Sequence, residues 1–488
     1  MLQLEDIVSD IGDKKRTIFR RNKTMPTRLE ADSIGTMEVP SKAYYGVQSL
    51  RAKHNFNITG RPLHPAFINN LARIKKAAAY TNMTAHVLDE QIGKAIVSAC
   101  DEIIAGKLHN QFIVDAIQGG AGTSANMNAN EVIANRAIEL LGGVKGDYSI
   151  VHPNDHVNMA QSTNDVIPCA GKLTIMELMP ELIAELERLH KALMDKAVEF
   201  DAVVKMGRTQ LQDAVPIRLG QSFEAYAAVI ARDIKRLSQV EEEMRVLNIG
   251  ATAVGTAINV NPIYLFHIIK NINLVCGTNC TQAEDLFDAT QNLDGFVFTS
   301  GALKTCAVNL SKICNDLRLL SSGPKTGLGE INLPPKQNGS SIMPGKINPV
   351  IPEVVSQVAF NVIGNDVTVT MAAEAGQLEL NAFEPVVFYN IFESIDTLTG
   401  AVRTLIDNCI TGITANRGRC EQLVESSVSL ATALCPYIGY KKAADIAKQS
   451  LETGESVREI VVKENLLTKE QLEKGLDLMA MTQPGHQF

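Results

Sequence analysis

The residues able to do chemistry sit in four polar stretches, each placed where the apolar pattern of the chain breaks. In Gly339-Ser340-Ser341-Ile342-Met343-Pro344-Gly345-Lys346-Ile347-Asn348-Pro349, two adjacent hydroxyls precede a lysine and an asparagine, with glycine on both sides. Such a stretch describes a mobile loop that carries a base or nucleophile to an anionic ligand and closes over it. A plain linker is the competing reading, but a linker has no need of Ser-Ser and Lys-x-Asn together.

The second stretch, Gly119-Gly120-Ala121-Gly122-Thr123-Ser124-Ala125-Asn126-Met127-Asn128-Ala129-Asn130-Glu131, is a glycine turn entering small hydroxyl and amide side chains. It can open a helix whose first N–H groups bind an anion, although an ordinary capped loop explains it equally well. No Gly-Lys-Ser/Thr ends it, and no strand with a matched acid frames it, so it is neither a Walker loop nor a dinucleotide site. The third, from His152-Pro153-Asn154-Asp155-His156 through Asn158 and Gln161 to Ser162-Thr163-Asn164-Asp165, is costly to bury unless it binds something. His152, Asp155 and His156 on one helical face raise the question of a metal, but Pro153 and the asparagines suit a turn with an internally satisfied network. The fourth, Lys205-Met206-Gly207-Arg208-Thr209-Gln210-Leu211-Gln212-Asp213-Ala214, lies between two long apolar runs.

Helices must hold these stretches in place. Leu173, Met176, Leu178, Leu182, Leu186, Leu189 and Leu193 recur in steps that trace one face of a helix reaching Phe200. The same periodicity runs from Leu219 to Met244 and from Leu303 to Leu320, and two further apolar runs cover Glu353–Gly376 and Pro385–Ile413. Five helices of this length predict a long bundle. Before it lie shorter helices and glycine turns, opened by a polar stretch up to Pro40 that suits a hairpin. After Asn416 come short helices punctuated by Gly454, Ser456 and a Thr468–Gln471 capping box. The expected division is 1–163, 164–418 and 419–488.

Composition agrees with a helical chain. Its 488 residues are 45% hydrophobic but only 5% aromatic, with no Trp, so the core must be aliphatic. A formal charge of -8 argues against a nucleic-acid partner, whose footprint is basic. Nine scattered cysteines read as reduced thiols of a cytoplasmic protein; Cys276 and Cys280 lack a second pair to complete a zinc set. No apolar run predicts a membrane span, and the basic run Lys14, Lys15, Arg16, Arg20, Arg21 and Lys23 reads as a solvated leader.

The Gly339–Pro349 stretch resembles the signature of the aspartase/fumarase superfamily, and the other three stretches are similar to its remaining conserved regions, in order. The resemblance implies a mainly α, three-domain fold whose central helices assemble into a twenty-helix bundle in a homotetramer, with each active site shared between subunits. It implies reversible anti elimination beta to a carboxylate, releasing fumarate. No cofactor is required, and Mg²⁺ activates some members; no acid cluster here predicts a tight metal site. Carried over by position, Ser340 is the base that removes the Cβ proton. Thr123, Ser162, Thr163 and Ser341 hold the β-carboxylate, Lys346 and Asn348 the α-carboxylate, and Asn164, Thr209 and Gln210 lie near the departing group.

The leaving group separates the members. Gln210 stands where fumarases usually carry a His that pairs with an acid matching Glu353, and a glutamine cannot take a proton. The Gln161–Asp165, Asn248–Ala253, Glu374–Asn381 and Gly412–Asn416 segments likewise resemble the ammonia-releasing branch, which acts on L-aspartate. His152, Asn154 and Asp155 instead resemble a second, non-catalytic anion site of fumarases, and Gly327-Leu328-Gly329-Glu330 also has that flavour. A fumarate/L-malate hydratase and a non-catalytic helical scaffold are the alternatives.

Overall fold

The computed structural model describes residues 26–483. The basic run of the leader lies outside them. Helix dominates, and the few strands form two-stranded pieces.

The chain opens with an antiparallel hairpin of β1 (Thr27–Asp32) and β2 (Gly35–Pro40). Four helices follow: α1 (Val47–Asn55), α2 (Pro65–Thr84), α3 (Glu90–Ile104) and α4 (Thr123–Leu140). A single turn, Pro153–Val157, leads to α5 (Thr163–Glu199). This helix starts ten residues before its apolar face becomes periodic. The reason is local: Ser162 Oγ accepts from the Asn164 N–H at 3.3 Å while Asp165 Oδ1 accepts from the Ser162 N–H at 2.9 Å, a capping box that fixes the first turn.

A hairpin of β3 (Val204–Thr209) and β4 (Gln212–Arg218) separates α5 from α6 (Leu219–Met244). Then come β5 (Val246–Leu247), α7 (Pro262–Cys276), β6 (Thr281–Gln282), α8 (Asp288–Gln291), α9 (Asp294–Leu320), β7 (Ile331–Asn332), α10 (Val350–Glu374), α11 (Glu384–Asn408) and β8 (Thr414–Ala415). Five of these helices close a ring in the order α5, α6, α9, α10, α11. Its core is aliphatic with a small aromatic knot, Phe296 against Phe388 and Phe388 stacked on Phe392. The N-terminal helices pack on one flank, α2 touching both α5 and α7.

The last helices, α12 (Arg417–Glu425), α13 (Cys435–Ile438), α14 (Tyr440–Thr453), α15 (Val457–Lys463) and α16 (Lys469–Gly475), have a separate small core. Gly454 ends α14 in the left-handed conformation, and Ser456 and Thr468 cap the next two helices. Met206 of β3 is buried in this second core, so the hairpin packs with the C-terminal helices.

The turn from α5 into α6 is tight. The Gly220 N–H reaches Phe200 O at 3.1 Å, and a Cβ at Gly220 would run into the Ala197 carbonyl and lie 2.9 Å from Asp201 Cα. Backbone cannot swing aside as a side chain can, so Gly220→Ala is expected to cost about 1–3 kcal/mol in chemical unfolding. Gly400→Ala, on an open face of α11 with nothing within 4 Å, should gain about 0.5–1 kcal/mol in the same measurement.

Candidate active site

Two helix N-termini meet beside α2. Gly122, at φ +84°, precedes α4, and Thr123 is its first residue. A side chain at Gly122 would lie 2.9 Å from Ile167 of α5, so only glycine lets the two helix starts approach this closely. Thr123 Oγ1 donates to Gly120 O at 2.7 Å, and the Thr123 side chain is exposed. Thr163 Oγ1 lies 3.4 Å from Asn126 Nδ2, and Asn164 Nδ2 donates to Ala253 O at 2.7 Å. Thr123, Ser162, Thr163 and Asn164 thus gather at one end of the bundle, where the partial positive charge of two helix starts favours an anion.

Beneath them lies a buried polar cluster. Asp165 Oδ2 accepts from the Gly250 and Thr252 N–H groups at 3.1 and 3.0 Å, which ties the start of α5 to the loop after α6. Burial pushes its carboxyl up to about 6, against the pull of three backbone donors. Lys75 of α2, fully buried, is pushed down to about 7 by the same loss of water, with Asp165 opposing the shift. Lys75, Asn126, Asn158 and Asp165 were given no role by sequence; the available signal was asparagine at positions 126 and 130, one turn apart on the buried face of an apolar helix.

The other residues lie at the far end. A helix of 37 residues is about 55 Å long at 1.5 Å per residue, and the hairpin carrying Thr209 and Gln210 follows its last turn. The hairpin turn is Gln210–Leu211, with both residues at positive φ, +53° and +62°. A two-residue turn normally gives these positions to Asn and Gly, so the exposed tip carries backbone strain. It is anchored from below: Arg208 Nη1 donates to Glu330 Oε1 at 2.9 Å, and Lys205 Nζ lies 3.3 Å from Glu330 Oε2, with the Glu330 carboxylate fully buried.

Glu330 lies in the connection from α9 to the Gly339–Pro349 loop, which is therefore also at the far end. The loop is a small closed unit. The Gly339 N–H donates to Lys346 O at 2.8 Å, and Asn348 Nδ2 donates to Gly339 O at 2.9 Å. Ser340 Oγ accepts from the Ile342 and Met343 N–H groups at 3.2 and 3.1 Å, two donors of the kind that would lower the cost of an alkoxide. Ser341 and Lys346 are exposed. Glu353, one turn into α10, faces Arg318 at 3.9 Å.

One chain therefore brings together Thr123, Ser162, Thr163 and Asn164. It holds Ser340, Ser341, Lys346 and Asn348 in a second cluster, and Thr209 and Gln210 in a third. His152, Asn154 and Asp155 form the turn before α5. His152 Nδ1 accepts from the Asn154 and Asp155 N–H groups at 3.3 and 3.1 Å, and His156 Nδ1 accepts from the His152 N–H at 2.9 Å. Those nitrogens are already used, and no group of three or more His, Cys, Asp or Glu residues placed to hold a metal occurs among the described residues.

Comparison with known proteins fits this arrangement. The family model described as Lyase matches residues 35–364, and the model of the fumarase C C-terminus matches residues 430–483. The chain belongs to the aspartase/fumarase superfamily. Among curated members, it is 52% identical to the aspartate ammonia-lyase of a Bacillus species over 94% of this chain and 98% of the other. It is 54% identical to that of Helicobacter pylori over 91% and 96%. Solved structures of the superfamily superpose closely. A fumarate lyase:delta crystallin from Brucella melitensis gives a TM-score of 0.92 at 52% identity, covering 94% of this chain and 100% of the other. A class II fumarase from Schistosoma mansoni gives 0.90 at 35% identity, with the same coverage.

Asp165 offers a test of the cluster. In Asp165→Asn an amide NH₂ must face backbone N–H donors, so unfolding should show a loss of about 1–3 kcal/mol at pH 7. The raised carboxyl of the native chain contributes stability that is full below about pH 4 and lost as pH rises through about 6. Urea midpoints of the parent chain should accordingly fall relative to those of Asp165→Asn over that window.

Proposed function

We propose that the chain is an aspartate ammonia-lyase, catalysing the reversible anti elimination of ammonia from L-aspartate to give fumarate. The observation that carries this reading is identity of 52–54% to curated aspartate ammonia-lyases of Bacillus and Helicobacter over more than nine-tenths of the chain, against 35% to the class II fumarase. Gln210 supports it, because an amide cannot exchange a proton with water as a His can.

In this reading Ser340 takes the Cβ proton. The electron pair moves onto the β-carboxylate, which becomes a doubly charged aci-carboxylate held by Thr123, Ser162, Thr163 and Ser341. The C–N bond then breaks, and ammonia departs beside Asn164, Thr209 and Gln210, while Lys346 and Asn348 grip the α-carboxylate. Every step is heterolytic, so no redox cofactor is called for, and Mg²⁺ is at most an activator. The turn carrying His152, Asn154 and Asp155 is assigned as a second, non-catalytic carboxylate site. With Nδ1 accepting, His152 Nε2 is its remaining donor.

Clusters about 55 Å apart along one helix complete a site only between chains, which supports the homotetramer. So does the outer face of α10, where Phe360, Gly364, Val367 and Met371 follow heptad spacing and Phe360 and Met371 are 62% and 66% exposed. Residence in the cytoplasm is supported by nine unpaired cysteines and by the lack, among the described residues, of a helix long and apolar enough to cross a membrane.

Purified chain mixed with L-aspartate should release fumarate, followed by ultraviolet absorbance, and ammonia, followed by a coupled assay, also in the presence of EDTA. Fumarate from L-malate alone would make the chain a fumarase, and silence with both substrates would make it a scaffold. Ser340→Ala should lower turnover by at least about 10²–10⁴ with the association state unchanged in size-exclusion chromatography. Substantial residual rate would remove Ser340 as the base.

A further inference from the structure

The buried cluster under the start of α5 contains a lysine that the elimination chemistry leaves unused. Lys75 points from the middle of α2 into a space with no solvent exposure, and its Nζ donates to Asn158 Oδ1 at 2.8 Å. The same oxygen receives Asn126 Nδ2 and Asn130 Nδ2, both at 3.2 Å. Asn126 Nδ2 is forked, and its second direction is Thr163 Oγ1 at 3.4 Å. Asn158 is held in turn, since its Nδ2 donates to Gln161 O at 3.1 Å.

We infer that Lys75 is a positioning residue: through Asn158 and Asn126 it orients the Thr163 hydroxyl toward the substrate carboxylate. A hydroxyl has one hydrogen and two lone pairs. When an amide N–H fills a lone pair from below, the hydroxyl hydrogen turns away from that donor, toward the open side where the two helix starts meet. Asn126 can serve in this way only while its amide is held with the nitrogen toward Thr163. Lys75 enforces that sense: by donating to Asn158 Oδ1 it makes this oxygen the common acceptor, so Asn126 and Asn130 must each present nitrogen to it. An apolar residue at 75 would remove the strongest donor to Asn158 Oδ1 and leave that amide held at Gln161 O alone, which loosens the relay to Asn126 and Thr163.

The placement speaks for more than a structural plug, since a lysine is costly to bury without a carboxylate partner. The groups acting on Lys75 are Asp165 from α5 and the Cys100 thiol from α3, and burial pushes that thiol far up, so it stays neutral. Among the described residues Asp165 is therefore the acid that acts on the lysine, and it spends its oxygens on backbone donors.

The inference rests on the role of Thr163 as a donor to the β-carboxylate, where charge gathers in the transition state. Loss of the relay should fall on kcat more than on KM, because it weakens an interaction that strengthens as the proton leaves. Lys75→Met should lower kcat by about 10–100-fold, less than full removal of an oxyanion donor, with KM for L-aspartate changed by less than about threefold. Thr163→Val should be slower still, and the double variant no slower than Thr163→Val alone, since both act through one hydroxyl. Asn126→Ala cuts the relay at its other link and should show the same non-additivity, which keeps the test available if Lys75→Met does not fold. Multiplying effects in both double variants, or lowered thermal stability with kcat intact, would overturn the inference and leave Lys75 a structural residue. Calorimetric binding of a nitronate analogue of the substrate, which carries the charge of the aci-carboxylate, separates this from the reading above. A parent chain that binds the nitronate with the same non-additive pattern across the variants but does not consume aspartate would sink the ammonia-lyase assignment and keep the relay; additive losses of nitronate affinity would sink the relay whatever the substrate.

Discussion

The length of α5 governs this molecule. A rigid helix of 37 residues cannot fold back on itself, so whatever its capping box presents at Ser162 is held about 55 Å from whatever follows Glu199. Each of the other ring helices spans much of the same distance, and the chain therefore deposits polar loops at two separate ends. The anion-favouring helix starts are at one end. The strained Gln210–Leu211 turn and the Ser340 loop are at the other. On the proposed function a catalytic site drawing on both ends is completed between copies of the chain, and the uncharged outer stripe of α10 is a surface that suits such packing.

Both ends are fixed by buried charge, in different ways. At the near end Asp165 joins α5 to the loop after α6 through backbone N–H groups, and Lys75 meets amides rather than a carboxylate. At the far end Glu330 takes Lys205 and Arg208 together, which binds the hairpin to the connection leading to the Ser340 loop. Breaking a buried pair of this kind leaves an uncompensated charge and costs several kcal/mol, so these contacts fix the loops firmly at both ends.

Much of the architecture was legible in the sequence because it follows from local rules. The heptad-like steps of Leu173–Leu193 and Leu219–Met244 gave helices, and Gly454, Ser456 and Thr468 punctuated the end of the chain as capping chemistry requires. The start of α5 is less legible and lies ten residues ahead of the apolar period, since a polar first turn carries no such period and only its cap marks it. The β3–β4 hairpin leaves no local signal for a related reason: Gln210 and Leu211 are poor turn formers, and tertiary anchoring through Glu330 holds them at positive φ.

The candidate site divides in the same way. Residue types and spacing in the four polar stretches, with the resemblance they carry, were enough to name hydroxyls, amides, a lysine and a base, because chemistry on a dicarboxylate restricts what can serve. Which of these groups share a space was not written locally. Sequence determined the helices, their caps and the chemical character of the four stretches, all set by contacts within a few residues. Tertiary structure alone decided that Asn126 reaches Thr163, that Ser340 stands at the opposite end of the bundle, and that Lys75 reaches Asn158 from another helix, because long-range packing, not spacing, brings distant residues together.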